Sequence, residues 1–571
     1  MPLAQQIIDR FFANSLDLQI PGEQVPHTSS GNRVEYLIDG ENYFAALSDE
    51  IDFLQSASDR RFFYFANWWA GLVETPAVVG SAGPFISAWK GGTSGPHFAP
   101  FILGEGCSGP QTGTPLINQL VALANVHDVD VRAMFWMSPV IMNELLGSFG
   151  PGSNLTGEVY WTGRAQSIRS AQTLRSQIGT GRVVLNVLAH PIGAWHVKMV
   201  ICGDETGIRA YVGGMDLVCD KYSQTTHPTD NKWHDAAVRV QGPAAIAIYE
   251  YFQQIWDEQR GRGITRFLIN GSEVPSHGMD TLNIVPSPVS VEEVSNIGTQ
   301  WVQVLRTCPK TRLTLPPLSA ANVFERILLM ATGQEPLSFA DEGQFEFRMA
   351  LRKAISAAEN YVYIEDQGFT AREIMEWLNA RLIQVPNLKV IMLWGADPGD
   401  PANPYIRVSM EVLTGGLSAS DARNRVVFCE YKGVTVHSKI SIIDDIWATV
   451  GSANCARRSL YLDAEIGVGV LDEASTTFAK RLRKDLWAEH CGIRPGTPES
   501  DALLPLEQAL GIWEPSWAAV ALPGNVMRKP ALDKKIIPFE YADPPGPGQW
   551  STEFSRNLPD FVYDFVDGDS R

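Results

Sequence analysis

The sequence predicts an α/β protein of two lobes, each a sheet covered by helices, and three observations lead there. Strand-like runs recur in the same order in both halves: RFFYFANWW (61–69) with NYVYIEDQGF (360–369), VRAMFW (131–136) with LKVIMLW (388–394), and RVVLNVL (182–188) with RVVFCEY (425–431). Amphipathic helical stretches separate these runs, which is the alternation of a layered α/β fold. Of the 571 residues, 45% are hydrophobic and 19% charged, a composition that fills a large core and argues against wholesale disorder.

Taken in chain order, the first lobe is expected over residues 1–290. It holds the first strand of each pair and a helix over SIRSAQTLRSQI (167–178). The mixed turns of 262–292, with PSPVSVEE, mark the boundary. The second lobe is expected over 300–500. FEFRMALRKAISAAEN (345–360) repeats apolar residues at three- and four-residue spacing and runs into its first strand, and REIMEWLNARLI (372–383) follows as a helix. Residues 501–571, rich in Pro, Gly and aromatics (GIWEPSW, YADPPGPGQW), read as an irregular strap packed on the body.

Charge and cysteine usage narrow the function. With 46 Lys and Arg against 64 Asp and Glu, the formal net charge is -18, so no stable nucleic-acid partner is expected. A local cationic pocket is compatible with that balance. The seven cysteines are widely spaced, with no C-x-x-C pair, and read as buried thiols rather than a disulfide scaffold or zinc site. MPLAQQIIDRFF lacks a basic region followed by an apolar one, and no apolar run approaches the roughly 18 residues a spanning helix needs. The expectation is a soluble protein with no transmembrane segment, either cytoplasmic or secreted after signal removal.

The chemistry lies in a second repeat. VTVHSKISII reads as a strand, and period-two alternation puts His437 and Lys439 on one face. After a turn at Asp444 and Asp445, IWATVGSAN returns Ser452 and Asn454 to the same side. In the first half His196 and Lys198 precede a turn around GDETG, and AYVGGMD returns like ATVGS. A single histidine near a lysine is usually incidental. Two of them in matching contexts point to a seam where imidazoles divide nucleophilic and acid–base work. Downstream, HDAAVRV laid against LDAEIGV offers Asp235, and Asp463 or Glu465, as carboxylates that orient the imidazoles.

On these residues the chain resembles the phospholipase D superfamily, whose members carry two H-x-K-x4-D motifs. The likeness is strongest at HSKISIID with GSAN. HVKMVICGD, GGMDL and WHDAAVRVQGPA resemble the phospholipid-cleaving branch, and YIEDQGF matches a family segment. The resemblance implies a duplicated fold with a mixed, helix-flanked sheet in each lobe and the active site at their interface. The first motif departs from the pattern. Gly203 stands seven residues after His196 and Asp204 one later, and Gly213 lies 17 residues after His196 where Gly451 lies 14 after His437. Whether Asp204 is catalytic or structural stays open.

Either histidine can attack phosphorus while the other protonates the leaving alcohol; physical symmetry does not choose. The resemblance implies His196 as nucleophile, through a phosphohistidine, and His437 as general acid and then base. Lys198 and Lys439 balance the phosphate oxygens, and Ser452 and Asn454 add hydrogen bonds. Two lysines supply the positive charge, so no metal or other cofactor is required. Trp195, beside His196, is the substrate-contact candidate among the first-half tryptophans. The preferred reading is a phospholipase D that meets phospholipid at a membrane surface, releases the headgroup and leaves phosphatidic acid, with water or a small alcohol as acceptor and hence headgroup exchange. The alternatives are a nuclease or other soluble phosphodiesterase, and an inactive membrane- or protein-binding module.

Overall fold

The computed structural model describes residues 3–72, 115–136, 167–313, 334–395, 403–510, 513 and 536–538, apart from isolated positions and short runs inside these spans. The glycine-rich loops at 91–96 and 105–110, Trp89, and most of the 501–571 strap lie outside the described residues.

The first-half strands are β1 (His27–Ile38), β2 (Phe62–Asn67), β3 (Asp130–Trp136), β4 (Val183–Asn186), β5 (Lys198–Asp204), β6 (Gly207–Gly213), β7 (Trp233–His234) and β8 (Ala236–Gln241). The second half supplies β9 (Gln300–Cys308), β10 (Tyr361–Glu365), β11 (Lys389–Trp394), β12 (Val426–Tyr431), β13 (Thr435–Val436), β14 (Ile440–Ile443), β15 (Trp447–Gly451) and β16 (Glu465–Asp472). Each half uses one order: β4-β3-β2-β5-β6-β8 in the first and β12-β11-β10-β14-β15-β16 in the second. The outer three strands of each set are parallel and the inner ones antiparallel. Strands β2 and β10 are buried along their whole length, as parallel strands covered on both faces must be, which explains their unbroken apolar runs.

The expectation of a separate sheet in each lobe is not met, because among the described residues the hydrogen bonding runs on as a single 16-stranded sheet, which also takes in the short strands Gln344–Phe345 and Ile536–Pro538, while β7 and β13 pair only with each other. Strand β1, absent from the sequence reading, makes the join. His27–Ser29 pairs with β9, Arg33–Ile38 pairs with β8, and the register shifts between Ser29 and Asn32. Gly31, at φ 78°, supplies the bend. The buried Asn32 fixes it, its amide donating to the Ser29 carbonyl (2.9 Å) while its Oδ1 accepts Ala244 N–H (2.8 Å). That second bond also caps helix Pro243–Arg262. Among the described residues no helix is long and apolar enough to cross a membrane.

The longer first hairpin has a simple origin. Strands β5 and β6 pair from Met199↔Val212 to Asp204↔Gly207, two rungs more than the Ile440↔Val450 to Ile443↔Trp447 ladder of β14 and β15. The additional residues lie at the turn end, so the ends nearest the histidines stay in register.

Candidate active site

Each His-x-Lys segment sits where a ladder stops. His437, Ser438 and Lys439 are not one continuous strand, contrary to the sequence reading: β13 ends at Val436 and β14 starts at Ile440. The backbone N–H groups of His437 and Ser438 turn instead to the carbonyl of His234, at 2.7 and 3.2 Å. In the first half Trp195 bridges to Ala464, whose N–H bonds the Ala194 carbonyl (2.9 Å), and β5 begins at Lys198. Both lysines fold back alike, Lys198 Nζ donating to the His196 carbonyl (3.3 Å) and Lys439 Nζ to the His437 carbonyl (2.7 Å). Lys198 also lies 3.8 Å from Asp216.

The carboxylates are supplied crosswise. His196 Nδ1 lies 2.9 Å from Glu465 Oε2, and His437 Nδ1 lies 2.7 Å from Asp235 Oδ2, so each half orients the other's imidazole. All four groups are buried. A carboxylate on Nδ1 fixes the tautomer and leaves Nε2 for chemistry.

The strand registers identify which acids correspond. Gly213 pairs with Ala237 and Gly451 with Gly467, which makes Asp235 the counterpart of Glu465 and His234 the counterpart of Ala464. Laying Asp235 on Asp463 slips the alignment by two residues, a slip that preserves strand face and so leaves the pattern intact. Asp463 has a different task. Its carboxylate takes a two-pronged bond from Arg458 (3.1 and 2.9 Å) and accepts Ala194 N–H at 2.6 Å, tying down the chain before His196.

The two carboxylates live differently. Glu465 accepts the Ser452 hydroxyl (2.5 Å) and the Ser459 hydroxyl (2.6 Å) besides facing His196. Burial pushes its carboxyl up against the opposing pull of His196. Asp235 is equally buried, yet His437 and the nearby Lys221 and Lys439 bring its carboxyl below the ordinary range. Lys221 Nζ stands 3.6 Å from Asp235 Oδ2 and 3.8 Å from the Trp233 ring centre. Gly214 occupies the position of Ser452, and a Cβ there would meet Asp235 Oδ1 at 2.0 Å.

Several expectations need correction. Trp195 packs into the hydrophobic core with Val197 and Ala464, while His196 between them faces Glu465. Among the described residues, the indoles that meet the histidines are Trp68 (ring centres 5.6 Å from His196) and Trp233 (5.4 Å from His437). Ser452 is committed to Glu465 rather than held ready for a phosphate oxygen. Asn454 is buried two residues on, its N–H bonded to the Ser459 hydroxyl (3.1 Å). Asp444, at φ 55°, accepts the N–H groups of Glu359, Asn360 and Tyr361 at 2.7, 2.8 and 2.9 Å, and so clamps the loop before β10. Asp204 accepts the N–H (2.9 Å) and hydroxyl (2.6 Å) of Thr206 and closes its own turn. Neither motif aspartate hydrogen-bonds an imidazole in the structure.

Sequence reasoning also missed a buried cluster behind His437, formed by Asp39, His227, His234, Glu365, Glu489 and His490. Its members are scattered over about 450 positions, and only His234 and Glu365 fall within the motif segments WHD and YIEDQGF.

Comparison with known proteins agrees with the motif reading. Residues 351–489 match the family model described as cardiolipin synthase, PLD-like domain. Phospholipase D gamma 2 of Arabidopsis thaliana is 24% identical over 72% of this chain and 60% of its own length. Phospholipase D alpha 1 of Brassica oleracea var. capitata is 22% identical over 61% of this chain and 56% of its own. Phospholipase D zeta 1 of Arabidopsis thaliana reaches 29% over 26% of this chain and 19% of its own. The chain spans about six tenths of the length of the first two Arabidopsis relatives it matches.

Proposed function

We propose that this chain, which belongs to the phospholipase D superfamily, hydrolyses the distal phosphodiester of glycerophospholipids to phosphatidic acid and a free headgroup. The supporting observation is the crossed pairing, His196 with Glu465 and His437 with Asp235, which gives two buried imidazoles an orienting carboxylate each. In this reading the duplicated halves, 1–290 and 300–500, meet at the site, and 501–571 is the strap.

His196 Nε2 attacks phosphorus while the bond to the headgroup oxygen breaks, and His437 gives that oxygen a proton. Water, or a small alcohol in headgroup exchange, then attacks the phosphohistidine as His437 takes the proton back. The surroundings support this division of labour. An ionised Asp235 favours a positively charged ring beside it, which suits a proton donor. A buried Glu465 whose charge is disfavoured suits a neutral nucleophile. Lys198 and Lys439 offset the oxyanion charge, with Asn454 at the end of the return strand, and the scheme needs no metal. Trp68 and Trp233 form aromatic walls that suit an apolar glycerol backbone or a quaternary amine.

The test is a purified-enzyme panel of headgroup release from phosphatidylcholine, phosphatidylethanolamine and phosphatidylglycerol vesicles beside single- and double-stranded DNA. Release of choline or ethanolamine without nucleotides is expected. Nucleotide release with no phospholipid turnover overturns the substrate class, and no turnover of either overturns the enzyme reading.

A further inference from the structure

Among the described residues the cluster behind His437 has no counterpart behind His196, and that one-sidedness gives it a role. Glu365 reaches both chains that carry the acid-side pair. Its Oε2 accepts the Ser438 hydroxyl at 2.9 Å and lies 3.2 Å from His234 Nε2. Ser438 follows His437 in sequence, and His234 precedes Asp235. One carboxylate thus grips the residue after the imidazole and the residue before its orienting acid. The same two segments are already joined by the pairing of β7 with β13 and by the two N–H groups that the His234 carbonyl accepts.

The grip is anchored from behind. Glu365 Oε1 faces His490 Nε2 at 2.5 Å and accepts the Tyr363 hydroxyl. His234 Nδ1 lies 2.9 Å from Glu489 and 3.2 Å from Asp39, and His227 Nε2 lies 2.8 Å from Glu489 and 3.6 Å from Asp39. Asp39 also holds Asp235 directly. Its N–H donates to the Asp235 carbonyl (2.8 Å) and its Oδ1 accepts the Asp235 N–H (3.2 Å), at a left-handed φ of 61° that a non-glycine residue adopts only under constraint. The neighbouring histidines hold the Glu365 carboxyl far below its ordinary range although burial opposes this. Losing a partner inside such a network leaves a charge stranded out of water, so its members stay in register.

At the corresponding first-half positions these groups are absent. Met199 pairs with Ala66 as Ile440 pairs with Glu365, so Ala66 stands for Glu365. Val197 stands for Ser438, and Ala464 for His234. The nucleophile side is built with apolar residues at all three places.

We propose that Glu365 is a positioning residue for proton donation: it holds Asp235 and His437 in mutual register, so that the acid-side imidazole meets the leaving oxygen. The idea rests on the role given to His437 above. It predicts a dependence on leaving group that a general structural role does not, because a leaving group that departs without a proton has no use for the strut.

The experiment compares release of choline from phosphatidylcholine, a poor leaving group, with release of p-nitrophenol from a p-nitrophenyl phosphodiester, a good one, in wild type, Glu365→Gln and Ser438→Ala. Both variants are first matched to wild type by circular dichroism and melting profile; Ser438→Ala removes one bond of the grip and leaves the buried charges in place. The expected result is a fall in kcat for choline of about tenfold or more in Glu365→Gln and a smaller fall in Ser438→Ala. KM and the first-turnover burst of p-nitrophenol, which precedes the step in which His437 serves as base, stay within about twofold. Equal losses in choline release and in that burst, in whichever variant folds, overturn the positioning role, as does full activity in both. If wild type releases p-nitrophenol but not choline, the phospholipid reading fails, and the strut is tested by the ratio between p-nitrophenyl and ethyl leaving groups on the same phosphodiester.

Discussion

The two histidines share a motif, a strand order and a crossed carboxylate, yet they stand in different surroundings. His196 has a glutamate held by two serine hydroxyls, an indole from the residue just after β2, and apolar neighbours. His437 has an aspartate flanked by Lys221, an indole from β7, and a six-membered histidine–carboxylate network behind it. Duplication gives two like imidazoles; in the proposed mechanism, unlike second neighbours are what make one a nucleophile and the other an acid. The difference is therefore sought in what surrounds the rings.

The largest effects break the comparison at the rings. His196→Ala and His437→Ala are each expected to lower headgroup release by about ten-thousandfold. They separate when labelled phosphate bound to protein is followed under alkaline denaturing conditions with the p-nitrophenyl substrate: His437→Ala still forms the adduct and His196→Ala does not. Adduct in His196→Ala reverses the assignment.

Next come the carboxylates. Asp235→Asn and Glu465→Gln are each expected to cost about a hundredfold in kcat. Their stabilities should diverge with pH in opposite senses. Asp235 has a lowered carboxyl pKa, so its ionised form stabilises the fold above the ordinary carboxylate range, and this is lost as pH falls through the folded value. Relative to wild type, Asp235→Asn should therefore worsen as pH rises from about 3 to 5. Glu465 has a raised pKa, so wild type loses stability as pH rises above about 4.5, and Glu465→Gln should gain on it over that interval. Melting temperatures across pH 3–8 decide; parallel slopes refute the contrast.

A sharper exchange is steric. Gly214→Ala drives a methyl onto the Asp235 carboxylate, whereas Ser452→Ala at the matching position removes one of three groups facing Glu465. We expect a loss of at least about tenfold in choline release for the first, sparing the first-turnover burst of p-nitrophenol. For the second we expect a loss of about fivefold on both substrates, equivalent to about 1 kcal/mol.

The smallest effects concern the turns. Asp444→Ala strands three backbone N–H groups and should lower stability by about 1–3 kcal/mol, read as the denaturant midpoint; Asp204→Ala, with two bonds to Thr206, should lose less. Activity per folded molecule stays near wild type in both.

The sequence made the repeat legible because strand order and apolar runs are local properties. The His-x-Lys pairs were legible for the same reason, and alternation alone could have removed Trp195 from the substrate list. Choosing between Asp463 and Glu465 was not possible by pattern. Both fall on one strand face, and a ladder register set by β9 and β15 decides which meets the imidazole. The cluster of Asp39, His227, His234, Glu365, Glu489 and His490 was hidden because no two of its contacts lie in one local motif. Strand β1 escaped notice for a different reason: its alternation is interrupted at Gly31, where it passes from one partner to another.

That shared strand bears on how a substrate gets in and out. Walls hydrogen-bonded rung to rung across β8, β1, β9 and β16 cannot gape like jaws without tearing a ladder. The spacing of the two halves is thereby set in the manner of a fixed caliper. Under the proposed function, turnover proceeds with the frame standing still, and passage of substrate and product falls to side chains and loops around the site.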